Sequence, residues 1–157
     1  MMIVLGIDPG SRVTGYGVIK TDGKSVFYVD SGCIRVKGES LTDKIYEVYS
    51  GVSDLMKQHQ PQAAAVEQVF LGKNFNSALK LGQARGAALA AIANHHIPIA
   101  EYATRTVKQA VVGNGAAEKS QVSHMVCYLL KLSGKPQVDA GDALAIALCH
   151  AFRLPSP

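Results

Sequence analysis

The sequence predicts an α/β fold in which a mixed five-stranded sheet is flanked by helices. Three apolar runs, at residues 2–7, 14–20 and 25–34, are joined by short turns, and this pattern is typical of an antiparallel meander. From Leu41 the apolar residues recur at helical spacing, and strands then alternate with helices. A meander followed by alternating elements predicts one mixed sheet covered by helices.

The elements after the meander are predicted from apolar spacing, caps and helix breakers. Ser40 or Thr42 is a suitable cap for the first helix, which Pro61 ends. The predicted elements are a helix from 41 to about 60, a strand at 63–66, a helix at about 76–94, a strand at 97–102, helices at about 103–112 and 118–130, and a last helix from about 138 to 153.

Length and composition are those of one globular domain. The chain has 157 residues, 48% of them hydrophobic and 18% charged, which predicts a single domain over 1–157 with a short tail at 154–157. We expect no membrane span and no signal peptide, because the apolar runs are short and the first meets Asp8. Three widely spaced cysteines without a CxxC motif favour reduced thiols in the cytoplasm.

Four acids occupy positions where a fold alone does not require them. Asp8 ends the first strand beside a Pro-Gly-Ser turn, and Glu67 ends the fourth strand. Asp139 and Asp142 lie three residues apart in the predicted first turn of the last helix, so their side chains share one face. Acids in a first turn also suit the helix dipole, and that explanation stays open for this pair taken alone.

Together, the four acids predict a metal site. Carboxylates gathered at one side of a sheet repel unless a cation joins them, and oxygen-only ligands favour magnesium or manganese. Two such ions could activate water and stabilise the leaving oxygen of a phosphodiester. Setting these acids aside leaves 16 basic against 8 acidic residues (12 less 4), a surface suited to nucleic acid. We read His95 and His96, at a helix end, as structural.

Six blocks of sequence, in unbroken order from about residue 3 to 150, resemble one known family. They closely resemble the RuvC family of bacterial Holliday-junction resolvases, within the RNase H-like superfamily. The blocks are GIDPGSRVTGYGVI at 6–19, VEQVF at 66–70, SALKLGQARG at 77–86, VKQAVVG at 107–113, AEKSQV at 117–122 and DAGDALAIA at 139–147.

This resemblance implies an RNase H-like fold and a magnesium-dependent endonuclease of recombination and DNA repair. In that family, the acids matching Asp8, Glu67, Asp139 and Asp142 are catalytic and hold two Mg²⁺ ions, for which Mn²⁺ can substitute. A homodimer would hydrolyse two opposed strands of a four-way DNA junction, by in-line attack of metal-activated water, and leave ligatable nicks with 5′-phosphate ends. The implied protein partners are the RuvA and RuvB branch-migration proteins.

The resemblance also assigns DNA contacts. Lys108 and Lys119 match functional lysines, and each is predicted near the start of a helix, where a phosphate would offset the unfavourable helix dipole. Phe70 matches an aromatic that probes DNA and could stack on an unpaired base. We read Lys73 and Arg85, with Lys80, as an extended basic track for DNA.

Some interpretations stay open. Phe75 could be a second stacking residue or plain packing, and Gly141 weakens the helix that carries the paired aspartates. Small residues four apart in the 76–94 helix fit a dimer contact or internal packing; they are Gly82, Gly86 and Ala90.

Three other functions compete with the resolvase. A sugar-kinase-like or actin-like ATPase would need two such domains, and this chain supplies one. Another RNase H-like nuclease would share the acids but not the blocks at 77–86 and 117–122. A non-catalytic junction-binding module would have no use for four carboxylates that repel DNA.

Overall fold

The fold is a five-stranded mixed sheet with helices on both faces, as the computed structural model describes it for residues 1–69 and 72–155. The spatial order of the strands is β3-β2-β1-β4-β5. In chain order the elements are β1 (Met2–Asp8), β2 (Val13–Thr21), β3 (Val26–Arg35), α1 (Leu41–His59), β4 (Ala63–Glu67), α2 (Phe75–Ala93), β5 (Ile99–Tyr102), α3 (Thr104–Val112), α4 (Lys119–Leu130) and α5 (Val138–Phe152).

The strand pairing confirms the predicted meander. Strands β1, β2 and β3 pair antiparallel in sequence order. Strand β4 then pairs with β1 in parallel, and β5 pairs with β4 in parallel. Because parallel neighbours share a direction, β1, β4 and β5 end at the same edge of the sheet.

The two faces of the sheet carry different helices. On one face, Leu5 and Ile7 of β1 pack in a cluster with α1 and α2, through side chains such as Val52 and Ile92. On the other face, Val4 packs in a cluster with α3, α4 and α5. Alternate residues of β1 therefore face opposite layers, and Asp8 shares the parity of Val4, on the side of α5.

Helix α5 lies unusually close to the sheet because glycines face it. A Cβ atom built on Gly6 would overlap the carbonyl oxygen of Ala143, and one on Gly17 would approach Leu144 Cδ2 to 2.7 Å. The whole of α5 from Ala143 to Ala151, His150 excepted, is buried. The last helix is therefore the central element of the packing on its face.

The start of α1 agrees with the sequence prediction, while the starts of β5 and α5 differ from it or refine it. Ser40 is the N-cap of α1, its hydroxyl accepting a hydrogen bond from the Asp43 amide at 3.1 Å. Strand β5 begins at Ile99, two residues later than predicted, because Pro98 has no amide hydrogen to donate to the ladder. Helix α5 begins at Val138, so Asp139 lies in its first turn while Asp142 lies one residue beyond it.

No helix in the ranges 1–69 and 72–155 has the length and apolar character that crossing a membrane requires.

Replacing Gly141 with alanine is expected to stabilise the fold by about 0.5–1 kcal/mol, because alanine loses less backbone entropy in a helix interior. The new Cβ would meet Pro136 Cγ at 3.5 Å, an ordinary van der Waals contact. Thermal denaturation should show a midpoint higher by about 1–4 °C. Gly113→Ala is the control and should lower the midpoint, because Gly113 has a φ of 88°. An unchanged or lower midpoint for Gly141→Ala would contradict the expectation.

Candidate metal centre

Three of the four predicted acids come together at the carboxyl end of β1. Asp8, Asp139 and Asp142 each offer an oxygen such that the three atoms lie within 4.8 Å of one another. All three side chains are partly exposed, so the cluster is open to a ligand from solvent. Carboxylate oxygens at this spacing form a donor set of the kind that hard divalent cations prefer.

Local structure explains why these side chains converge. Asp8 is the last residue of β1, and its backbone pairs with Gly15 of β2. Gly15 lies directly beneath Asp139, whose carbonyl oxygen and Cβ occupy the space where a Gly15 side chain would stand. The absence of a side chain at Gly15 thus lets the start of α5 approach β1, and the helical spacing of three residues places Asp142 on the same face.

Glu67 lies beside this cluster without joining it. It ends β4, and the last pair between β1 and β4 joins Ile7 to Val66, so Asp8 and Glu67 are the next residues along two neighbouring strands. The predicted adjacency of the two strand ends is therefore correct. The negative charge of Glu67 raises the pKa of Asp8, although its oxygens are not among those within 4.8 Å of one another.

The electrostatics of the cluster centre on Asp8. Burial, then the charges of Asp142, Asp139 and Glu67, raise the pKa of Asp8 from its ordinary value of 3.8 to about 7, while Lys119 lowers it. Like charges that destabilise one another's ionised form are relieved by a proton or by a cation. The acids therefore form a site in which a bound cation would replace a proton on Asp8 near neutral pH.

Lys119 is predicted to contact a DNA phosphate, and the structure adds a partner for it that the sequence did not indicate. Its Nζ atom lies 3.2 Å from Asp142 Oδ2, and the Asp142 side chain is 34% exposed. Lys119 is the first residue of α4, as predicted. Because its ammonium group is exposed and borders the cluster, it can also reach an anion bound there.

The other predicted DNA contacts fall in different places. Lys108 is the fifth of nine residues in α3, so the prediction that it lies near the helix start is wrong; α3 begins at Thr104, leaving a full turn before it. Lys73 is exposed in the segment before α2. Phe70 lies outside the described residues. Phe75 is the first residue of α2 and is 81% exposed, so packing within the described part of this chain does not explain it.

Arg85 is tied to the ends of β4 and β5. Its Nη2 atom lies 2.6 Å from Glu101 Oε2 and donates to the Glu67 carbonyl oxygen at 3.5 Å. Its Nε atom is buried and has no hydrogen-bond partner among the described residues. This geometry favours a role in fixing the strand end that carries Glu67. The contact of Arg85 with DNA that the sequence predicted is untested, and the ion pair with Glu101 offers this side chain a different role.

Arg85→Met is expected to cost about 1 kcal/mol of stability while leaving the salt dependence of the expected DNA binding unchanged. The reason is that the guanidinium group already pairs with Glu101. Lys73→Met is the matched control and should lower the slope of log affinity against log salt by about 0.9, as expected for one lost phosphate contact. A reduced slope for Arg85→Met would instead support its contact with DNA.

The raised pKa of Asp8 predicts how the stability of the metal-free protein changes with pH. The folded protein binds more protons than the unfolded chain between about pH 4 and pH 7, so the free energy of unfolding falls as pH rises through that range. Because asparagine does not ionise, the Asp8→Asn variant does not lose this stability as the pH rises. In a chelating buffer at pH 8 the variant should be more stable by about 1–2 kcal/mol, with partial exposure screening the rest of the repulsion. At pH 4 the two proteins should match.

Chemical denaturation at both pH values tests this expectation. A wild-type protein as stable as Asp8→Asn at pH 8 in chelator would contradict the electrostatic account of the cluster.

Cys33 borders the site and was not predicted to do so. In β3 it pairs with Gly15, which in turn pairs with Asp8. Burial, followed by the charge of Asp139, raises the pKa of its thiol, so it stays protonated and inert at neutral pH. A glycine inside an apolar strand marks a close backbone approach, and that signal at Gly15 could have located this row of residues.

The architecture defines an RNase H-like fold with an acidic site. The strand order is β3-β2-β1-β4-β5, helices cover both faces, and carboxylates lie at the end of the central strand. The family model for crossover junction endodeoxyribonuclease RuvC matches residues 4–150. The chain therefore belongs to the RuvC family, as the sequence blocks predicted.

Individual relatives agree with the family match. The crossover junction endodeoxyribonuclease RuvC of Photobacterium profundum is 59% identical over 151 residues, covering 96% of this chain and 87% of that relative. That of Tolumonas auensis is 60% identical over the same length and coverage. Among solved structures, T. thermophilus RuvC in complex with Holliday junction substrate has a TM-score of 0.91 and 34% identity, covering 97% of this chain and 94% of that one.

Proposed function

We propose that this chain is a metal-dependent endonuclease that resolves four-way DNA junctions in homologous recombination and repair. The observation that carries the proposal is the convergence of Asp8, Asp139 and Asp142 within 4.8 Å at the end of the central strand, in a chain of the RuvC family. A catalytic site for phosphodiester hydrolysis needs anionic ligands held in place before the substrate arrives. Strand β1 holds Asp8, and helix α5 holds the two other aspartates.

The residues fit a divalent metal ion. The donor set is made only of carboxylate oxygens, which favours Mg²⁺, with Mn²⁺ as a substitute, over metals that prefer nitrogen or sulfur ligands. Asp8, Asp139 and Asp142 would hold the ion or ions, with Glu67 completing the set at the end of the neighbouring strand. When bound, Mg²⁺ supplies a more acidic water and stabilises negative charge on phosphate oxygens.

The chain's own cations would guide the substrate. Lys119, 3.2 Å from Asp142, borders the acids and would contact a phosphate held there. Lys108 on α3 and Lys73 before α2 would extend the contacts along the backbone. The predicted stacking of Phe70 on an unpaired base belongs to the proposal. Arg85 would support the end of β4 that carries Glu67.

A homodimer would present two such sites to one junction. One face of α2 carries exposed apolar and small residues at helical spacing; these are Phe75, Leu79, Gly82, Gly86 and Ala90. Phe75 is 81% and Leu79 63% exposed, and no atom of residues 1–69 or 72–155 lies within 4 Å of a Cβ built on Gly82 or Gly86. Two copies of this face could pack closely around a twofold axis, which matches the twofold symmetry of the two cut strands.

The chain would act as a single domain over 1–157, in the cytoplasm of a bacterium. It would cooperate with the RuvA and RuvB branch-migration proteins, which move the junction before it is cut, and its products would be nicks with 5′-phosphate ends that a ligase can seal.

A cleavage assay on synthetic DNA tests the proposed function. A labelled four-way junction and a linear duplex of the same arm sequence are incubated with the protein in Mg²⁺, with a chelator as control. We expect symmetric cuts near the crossover of the junction only, products that ligase seals, and no cutting in chelator. Equal cutting of the duplex would favour another RNase H-like nuclease. Binding of the junction without cutting in Mg²⁺ or Mn²⁺ would favour a non-catalytic module.

A further inference from the structure

A cavity separate from the acid cluster lies between helices α1 and α2 and the turn that follows Asp8. Its volume is about 540 Å³, within the range of sites for small organic ligands. Its apolar side is formed by side chains such as Leu41, Ile45 and Val36, and Leu41 is 54% exposed. Large aliphatic side chains in an open concave site are available for a ligand to cover.

Cations surround this apolar side. Arg12, Lys44 and Lys80 line the cavity, against a single lining acid, Glu39. Among residues 1–69 and 72–155, none of the three cations takes part in an ion pair. The cavity therefore combines a net positive charge with an apolar surface, and its ligand should carry an anionic group beside a flat or apolar one.

The cavity is linked to the candidate metal centre through the chain. Arg12 follows Asp8 by four residues, so their Cα atoms are at most about 14 Å apart. Phosphates follow one another about every 3.4 Å of axis along one strand of a DNA helix. A DNA strand that runs from the acids past this turn, around the edge of the sheet, could therefore reach the cavity within about four nucleotides.

We propose that this cavity binds one unpaired nucleotide of the DNA strand that occupies the acid cluster. The phosphate pairs with Lys44, with Arg12 and Lys80 adding positive charge around it, and the base lies against Leu41 and Ile45. The inference rests on the proposed function for its substrate. A nucleotide is favoured over an acidic peptide because the cavity adjoins the turn that follows Asp8, at the end of the sheet where the proposed DNA substrate would lie.

Photo-crosslinking locates the nucleotide directly. A four-way junction carries 4-thiothymidine at one of the four positions on either side of the crossover, and is irradiated with the wild-type protein in chelator. Peptide mapping should find cross-links in residues 36–48 for at least one position. Cross-links confined to other segments at every position would overturn the proposal.

A pair of lysine variants on α1 supplies the second measurement. Lys44→Gln should reduce the slope of log junction affinity against log salt by about 0.7–0.9, the value expected for one phosphate contact. Lys57→Gln is the matched control, because Lys57 is exposed near the other end of α1, and should leave the slope unchanged. Equal slopes for all three proteins would overturn the proposal.

The remaining outcomes separate this inference from the proposed nuclease function. Cross-linking to residues 36–48 by a protein that cuts no junction in Mg²⁺ would support the nucleotide site while the nuclease proposal fails. Junction cutting without those cross-links would support the nuclease proposal and overturn the nucleotide site. A labelled peptide of glutamate and leucine that binds wild type but not Lys44→Gln, in a protein without those cross-links, would overturn the proposal in favour of a protein partner.

Discussion

Replacing Asp8 with asparagine is expected to slow junction cleavage by about 1000-fold or more. Asp8 lies at the centre of the acid cluster, and the carboxylates of Asp139 and Asp142 both act on its pKa. Asparagine keeps the shape but removes the charge that would hold a divalent cation, and a bound ion contributes several kcal/mol to phosphodiester hydrolysis. Each 1.36 kcal/mol is a tenfold change in rate, so such a loss corresponds to at least three powers of ten.

The fold and the binding of DNA should survive this change. Asparagine resembles the protonated form of Asp8, which the raised pKa already favours below about pH 7. Asp54→Asn is the matched control, because Asp54 is an exposed acid on α1, away from the acid cluster, and it should cut at the wild-type rate. Asp8→Asn protein that binds the junction and cuts within tenfold of wild type would show that this acid is dispensable.

Gly15→Ala is expected to damage both the fold and the site, although Gly15 carries no functional group. A Cβ at this position would overlap the carbonyl oxygen of Asp139 and press on its Cβ. The obstacle is the backbone of α5, which is buried along most of its length and cannot turn aside as a flexible side chain would. We expect a loss of stability of about 3 kcal/mol, the upper end for overpacking, since helix and sheet must separate.

The same displacement would move Asp139 relative to Asp8. A shift of about 1 Å in a catalytic group can cost about 100-fold in rate, so cleavage by folded Gly15→Ala protein should fall by at least that factor. Gly141→Ala is the matched control, a glycine two residues from Asp139 with room for a methyl group. Urea denaturation and junction cleavage of both variants measure the two effects. Wild-type stability in Gly15→Ala would refute the close approach of α5.

The positions of the acids could be predicted because each interrupts a pattern. Asp8 and Glu67 end apolar strands, and the parallel pairing of β1 with β4 places them side by side. The spacing of Asp139 and Asp142 placed them on one helix face. That three of the four have oxygens within 4.8 Å, with Glu67 beside them, depends on how α5 is seated on the sheet. The spacing of residues along one element does not contain that information.

The pairings that the sequence left undetermined are long-range. Lys119 meets Asp142, and Arg85 bridges to Glu101 and the Glu67 carbonyl, across separations of 16 to 23 residues (142 less 119, and 101 less 85). A basic residue near a predicted site reads equally well as a DNA contact or as a partner for an acid. Only the packing of the helices decides which acid lies within reach.

The central claim is that the carboxylates of this cluster bind a divalent metal ion. Its most direct test is the dissociation constant for Mn²⁺, from the electron paramagnetic resonance signal of the free ion at pH 8, for wild type and Asp139→Asn. We expect wild type to bind Mn²⁺ and the variant to bind at least about 100-fold more weakly, because it loses one of three converging carboxylates. Equal affinity of the two proteins for Mn²⁺ would contradict the account.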